Sequence, residues 1–311
     1  MKWVSYISPT GSDRIGVVHA GEVYACPLAD DLLELLTRGG SALDEAARAA
    51  KTSPVEVLPL TSVTVRAPLP VPPSIRDFMA FEDHIVPILA ARGATVDPAW
   101  YEIPAFYFTN PAATLGPHDD VIAAPGALDL DYELEIAAVI GARGSNLTPD
   151  EGDALIAGFI LLSDWSARDL QRRERGIFLG PTKGKDWATT FGPVFVTRDE
   201  FEPLRSGKGF NIRMTAEVNG VAYSDGNLQD LYWSFGEMVA YASRGTELRP
   251  GDIIGSGTVG TGCIADLAAR HGQEKFPWLK PGDRVTLHAD LLGSIDVVIK
   301  PGPPVIPLRA D

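Results

Sequence analysis

Residues 128–136 read Leu-Asp-Leu-Asp-Tyr-Glu-Leu-Glu-Ile. On an extended strand alternate side chains point to opposite faces, so Leu128, Leu130, Tyr132, Leu134 and Ile136 share one face and Asp129, Asp131, Glu133 and Glu135 the other. Four like charges then line one face with no base between them. The alternation ends at Ala137-Ala138-Val139-Ile140, which places Glu133 and Glu135 nearest the interior. Two carboxylates there are costly unless a cation or protons compensate them. Hard oxygen donors suit Mg²⁺, Mn²⁺ or Ca²⁺, and not zinc with thiolates. The same pattern also describes a solvated strand whose charged face discourages edge pairing. The strand alone leaves both readings open, and a metal needs further ligands.

Three other segments could supply them: Arg76–His84 (RDFMAFEDH), Asp164–Gln171 (DWSARDLQ) and Gly184–Thr190 (GKDWATT). Arg168 and Gln171 are three apart and share one face of a predicted helix, close to Asp164 at its start. That arrangement could present a cation, an amide and a carboxylate to one pocket. Asp164 could equally be a helix cap, and a lone His84 is by itself an ordinary structural residue.

These side chains need a scaffold, and 311 residues suffice for one large domain or a small one plus a large one. Near the start, short apolar runs at Trp3–Ile7, Ile15–His19 and Val23–Cys26 precede predicted helices at Asp30–Thr37 and Ala42–Ala50. The stretch Ala67–Pro73 (APLPVPP) is too stiff and donor-poor for a central strand and reads as a connector. It divides a small N-terminal α/β domain, residues 1–66, from a larger domain, residues 67–311. The larger part is predicted to be mostly strands, at Phe106–Phe108, Leu128–Ile140, Phe191–Thr197, Asn211–Val218, Asp252–Ser256 and Arg284–His288. Asn219-Gly220 signals a type I′ hairpin. Thr148-Pro149-Asp150-Glu151 opens a helix, and Ser166–Arg175 forms another. Pro250-Gly251-Asp252 and Pro281-Gly282-Asp283 are turns leading into strands. The fold class is α+β, mostly β.

Composition narrows the partners. Against 27 basic residues stand 41 acidic ones, a formal net charge of −14, and no basic patch marks a nucleic-acid binder. The acidic balance also disfavours anionic membranes, and no apolar stretch is long enough to span one. The N-terminus turns polar without a signal-peptide core, so a cytoplasmic location is expected. Cys26 and Cys263 form neither a metal spacing nor a disulfide framework and read as buried small residues.

Taken in order, the Asp77-to-His84 spacing, DYELE, SDWSARDLQ, GKDWATTFGP and PGDIIGSGTVG resemble the fumarylacetoacetate hydrolase family from about Ala67 to Val298. The resemblance implies a mixed β-roll catalytic domain behind a small N-terminal domain, assembled as a homodimer, acting on a small oxo acid. By position it implies that Asp77, Glu133, Glu135 and Asp164 bind a divalent cation, Mg²⁺ foremost, with Mn²⁺ or Ca²⁺ as alternatives. It implies that His84 is the general base that activates water, and that Arg168, Gln171 and Lys185 hold substrate oxygens and developing negative charge. Thr258 would contact substrate, and Lys185 and Thr189 match positions near a cation. A metal-polarised carbonyl attacked by His-activated water would cleave a carbon–carbon bond in a β-diketo or acylpyruvate-like acid. The alternatives on the same scaffold are 2-oxo acid decarboxylation and 2-oxo-enoate hydration.

Three positions depart from the family pattern. The carboxylate partner of the base, a Glu in fumarylacetoacetase, falls on Asp266, one methylene shorter. Two Tyr substrate contacts fall on Met79 and Arg175. Fumarylacetoacetate is therefore not the expected substrate, and Arg175 points to a more anionic ligand or to a salt bridge closing a lid.

Overall fold

The computed structural model describes residues 1–309. Its centre is a mixed sheet of 13 strands. Four neighbours near its middle carry the site: Ile156–Asp164, Leu134–Ile140, Ile253–Gly255 and Ile75–Phe78, with Phe106–Thr109 beyond them at the edge. The strand Leu134–Ile140 pairs antiparallel with both Ile156–Asp164 and Ile253–Gly255, and the latter runs parallel to Ile75–Phe78.

Every residue of Leu134–Ile140 is buried, because the sheet is covered on both sides. Ile136, Ala138 and Ile140 join a core with Met214, Leu287 and Ile295 of a second, five-stranded sheet. Ala137 and Val139 face the other way, into a core with Trp3, Leu35 and Ala46 from the N-terminal segment. This is why the polar–apolar alternation fades after Glu135. The helices Leu32–Arg38 and Ala42–Thr52 contribute to that second core. The N-terminal strands also extend the central sheet itself, since Lys2–Ile7 pairs antiparallel with Phe195–Thr197.

The local turn chemistry follows the sequence. Asn219 and Gly220 take φ values of 53° and 76° in the expected hairpin. Thr148 and Glu151 form a reciprocal capping box.

Three expectations are corrected. Leu128–Ile140 is not one strand: Leu130–Asp131 pairs with Ser166–Ala167, and Leu134–Ile140 starts again on Ser163. The chain changes partner at Tyr132-Glu133, so the face assignment fails upstream of the break. Leu128 is 80% exposed, while Asp131 is buried. The predicted strand Phe191–Thr197 is split into Thr189–Phe191 and Phe195–Thr197. Pro193 has no N–H to give a ladder there. The predicted helix Ser166–Arg175 starts later, at Arg168, because Ser166 and Ala167 are taken into the two-residue strand. Among the described residues no helix is long and apolar enough to cross a membrane.

Gly158 lies where the central sheet meets the N-terminal strands. A Cβ there would stand 2.2 Å from the Val196 carbonyl oxygen and 2.6 Å from the Phe195 ring. Gly158→Ala is expected to destabilise the protein by about 1–3 kcal/mol through overpacking. Denaturant unfolding measures it, and an unchanged midpoint would contradict this account of the junction.

Candidate metal centre

Asp77, Glu133, Glu135 and Asp164 converge. One carboxylate oxygen from each lies within 4.8 Å of the others, and all four residues are buried. Sheet register causes this. The Asp164 N–H donates to the Glu133 carbonyl at 3.2 Å, while Gly255 sits opposite both Ala137 and Asp77. Gly255 also leaves the space they share. A Cβ there would stand 2.3 Å from Asp77 Oδ1 and 3.3 Å from Glu135 Oε2.

Asp77 Oδ1, Glu135 Oε2 and Asp164 Oδ1 are buried without any hydrogen-bond partner. A buried acceptor left unpaired is costly. Three of them, on an all-oxygen donor set, fit a hard divalent cation. Thr189, paired with Asp164 in the sheet, likewise has an unpartnered buried hydroxyl beside the cluster.

Two cations border the carboxylates. The Lys185 ammonium donates to Glu133 and Asp164. A protonated amine has no lone pair for a metal, so Lys185 acts here by charge and not as a ligand. Arg168 donates through Nη2 to Glu133 Oε1 at 2.7 Å and to Asp131 Oδ2 at 2.7 Å, with Nε on the same oxygen at 2.9 Å. Burial alone would raise the Glu133 pKa, but Lys185 and Arg168 outweigh it and hold Glu133 well below the usual carboxylate range. Asp77 and Glu135 lack such a contact, and burial pushes both up, Glu135 strongly because Asp77 and Glu133 add like charge. Burial raises Asp164 to about 8 against the pull of Lys185.

The sequence reading missed three participants. Tyr107 donates its hydroxyl to Asp77 at 3.2 Å and also bonds Asp164. Only the pairing of Asp77 with Tyr107 across neighbouring strands reveals it, and no local motif does. Asp131, expected on a like-charged face without a base, is the buried partner of Arg168 and also accepts the N–H groups of Ile264 at 2.7 Å and Ala265 at 3.0 Å. Glu174 accepts the N–H groups of Thr182 and Gly184, each at 3.0 Å, and so ties the Lys185 loop to the helix Arg168–Arg175.

The remaining predicted residues fall into two groups. Gln171 is buried and accepts from Arg168 at 3.3 Å. Thr258 is buried with its hydroxyl on Glu135 at 3.3 Å. Met79, at 37% exposure, and Arg175, exposed at the helix end, lie outside this buried network. Asp164 ends its strand and caps nothing, the N-cap of the following helix being Ala167.

His84 is buried on the helix Glu82–Ala90. Burial pushes its pKa down to about 4, against an upward pull from Glu133, so the ring is neutral near pH 7. Its Nδ1 lies 3.9 Å from Asp266 Oδ2, beyond hydrogen-bond reach. Asp266 is held elsewhere, by Arg270 Nε at 2.7 Å and the Thr261 N–H at 2.6 Å. Nor does Asp266 cap its helix. Cys263 is the N-cap of Ile264–His271, its sulfur accepting the Asp266 N–H at 3.4 Å.

With this geometry in hand, the comparisons are informative. The family described as "Fumarylacetoacetate (FAA) hydrolase C-terminal" matches residues 74–300. Oxaloacetate tautomerase FAHD2A, mitochondrial, of Bos taurus is 31% identical over 271 residues, covering 86% of this chain and 79% of its own. Oxaloacetate tautomerase YisK of Bacillus subtilis (strain 168) is 30% identical over 244 residues, covering 76% and 73%. Among solved structures, the fumarylacetoacetate hydrolase EaFAH from psychrophilic Exiguobacterium antarcticum superposes with a TM-score of 0.74 at 28% identity, over 97% of this chain and 99% of that one.

The space left by Gly255 gives a test. Gly255→Ala is expected to weaken Mg²⁺ or Mn²⁺ binding by about 10–100-fold, the range for disturbing the support of metal ligands. Asp129→Asn should leave binding unchanged, since Asp129 pairs with Arg172 outside the cluster. Isothermal titration compares the two, and equal effects would refute the placement of the centre.

Proposed function

The chain belongs to the fumarylacetoacetate hydrolase family, and from that premise we propose that it is an enzyme of small 2-oxo acids, working by enolate chemistry with a divalent cation held by Asp77, Glu133, Glu135 and Asp164. The observation that carries this reading is the convergence of buried, unpartnered carboxylate oxygens at Asp77, Glu135 and Asp164. Mg²⁺ is the first choice of ion, and Mn²⁺ or Ca²⁺ suits the same donors. When bound, such an ion supplies a Lewis acid that polarises the substrate carbonyl.

The chain's own residues do the rest. Arg168 and Lys185 bring fixed positive charge to the border of the carboxylate cluster, where a developing oxyanion would be stabilised. Gln171, buried beside Arg168, adds an amide to orient substrate. Neutral His84 takes a proton from carbon or water and returns it.

The reaction read first is keto–enol tautomerisation of a β-oxo dicarboxylic acid, oxaloacetate being the substrate named for two relatives. A proton relay between carbon and oxygen asks only for the imidazole. Water activation gains from a carboxylate behind the imidazole, and Asp266 is engaged by Arg270 and Thr261. Carbon–carbon hydrolysis of an acylpyruvate-like acid is the second reading. It is favoured by the position of Asp266, which needs a shift of only about 1 Å to reach His84.

Metal-stripped protein should not accelerate the enol-to-keto decay of oxaloacetate, and added Mg²⁺ or Mn²⁺ should restore the activity. His84→Ala should lower kcat by about 10²–10⁴-fold, the usual contribution of a general base. Turnover by the stripped protein would sink the proposal. Product identification on acylpyruvates separates the reactions: two carbon fragments mean hydrolysis, CO₂ means decarboxylation, and an unbroken chain with a new hydroxyl means hydration.

A further inference from the structure

Beside the all-oxygen cluster stands a second group of a different chemical character. One ligand atom each from His84, Cys263 and Glu133 lies within 4.8 Å of the others, and all three residues are buried. His84 Nδ1 is 4.0 Å from Cys263 Sγ. Asp266 Oδ2 lies 3.9 Å from the same nitrogen, too far for a hydrogen bond. An imidazole about nine-tenths buried is thus aimed at a thiol and a carboxylate without a short partner of its own.

We propose that His84, Cys263 and Glu133 form a second metal site, for a thiophilic divalent cation such as Zn²⁺, sharing Glu133 with the carboxylate cluster. Nitrogen, sulfur and oxygen donors suit Zn²⁺, whereas the neighbouring oxygen set suits Mg²⁺. Zinc bonds of about 2.0 Å to nitrogen and 2.3 Å to sulfur put those two atoms about 3.5 Å apart in a tetrahedron. The observed 4.0 Å needs a contraction of only about half an ångström. Cys263 is the N-cap of an eight-residue helix, but burial and the carboxylates of Asp131 and Glu133 push its thiol pKa up, so the metal itself must displace the thiol proton. On binding, the thiol proton leaves to solvent as the sulfur–metal bond forms, and His84 gives its Nδ1 lone pair.

Three cations oppose the ion. Arg168 and Lys185 both donate to Glu133, and Arg270 reaches Asp266 beside the imidazole. The ion must draw a Glu133 oxygen from Arg168 or Lys185. A zinc ion held there would also fix the His84 ring and remove it as a base, a consequence that rests on the function proposed above. The site itself does not.

The test uses the full chain saturated with Mg²⁺ and titrated with Cd²⁺, whose bond to a thiolate gives an ultraviolet charge-transfer band. The expected result is one equivalent of band in the wild type and in Cys26→Ser, its loss in Cys263→Ser, and its suppression by prior Zn²⁺. X-ray absorption at the zinc edge on the wild type needs no variant and should show one sulfur neighbour. A band that survives in Cys263→Ser, no band in the wild type, or a zinc shell without sulfur would overturn the site. Cadmium taken up only by the carboxylates gives no band, so failure of the metal assignment above is distinguishable.

Discussion

Mutual repulsion among buried carboxylates is the constraint around which this molecule is arranged. Two unit charges within 4.8 Å of each other repel by at least about 3.5 kcal/mol even at an effective dielectric of about 20. Four such groups at the middle of a sheet covered on both faces need compensation from somewhere. Lys185 and Arg168 supply part of it, at Glu133 and Asp164. The oxygens of Asp77, Glu135 and Asp164 that face no donor mark where the rest is owed. Tyr107 belongs to the same balance, its one hydroxyl lying within hydrogen-bond reach of both Asp77 and Asp164.

The sheet makes this arrangement possible because its order is not the chain's order. Asp77 and Glu135 are 58 positions apart, yet they are separated in the sheet only by Ile253–Gly255, whose glycine offers no side chain. The N-terminal segment has a part in this too. Its helices bury the sheet face on which Ala137, Val139, Ile160 and Leu162 lie, so the strands carrying Glu135 and Asp164 are packed on both sides.

Much of the fold was legible where local chemistry decides it. The Asn219-Gly220 hairpin and the Thr148 capping box needed no partner from elsewhere in the chain. The four carboxylates were legible as a set only because their order and spacing match a family. Periodicity alone put Asp131 in the wrong setting, since a strand that changes partner at Tyr132-Glu133 does not keep one face. Tyr107 and Asp131 act across strands far apart in sequence and Glu174 across a short loop, and nothing in their immediate neighbours announces it. Asp266 shows the converse: its position was legible, but the pull of Arg270 was not.

The bonds of Glu174 to Thr182 and Gly184 carry a mechanical implication. They fasten the base of the Lys185 loop to the helix that bears Arg168, alongside the Ala167 N–H, which donates to the Gly184 carbonyl at 2.9 Å, so the two positive groups are held by one connected framework. Displacing either group would therefore disturb the counter-charge that both lend to the carboxylates.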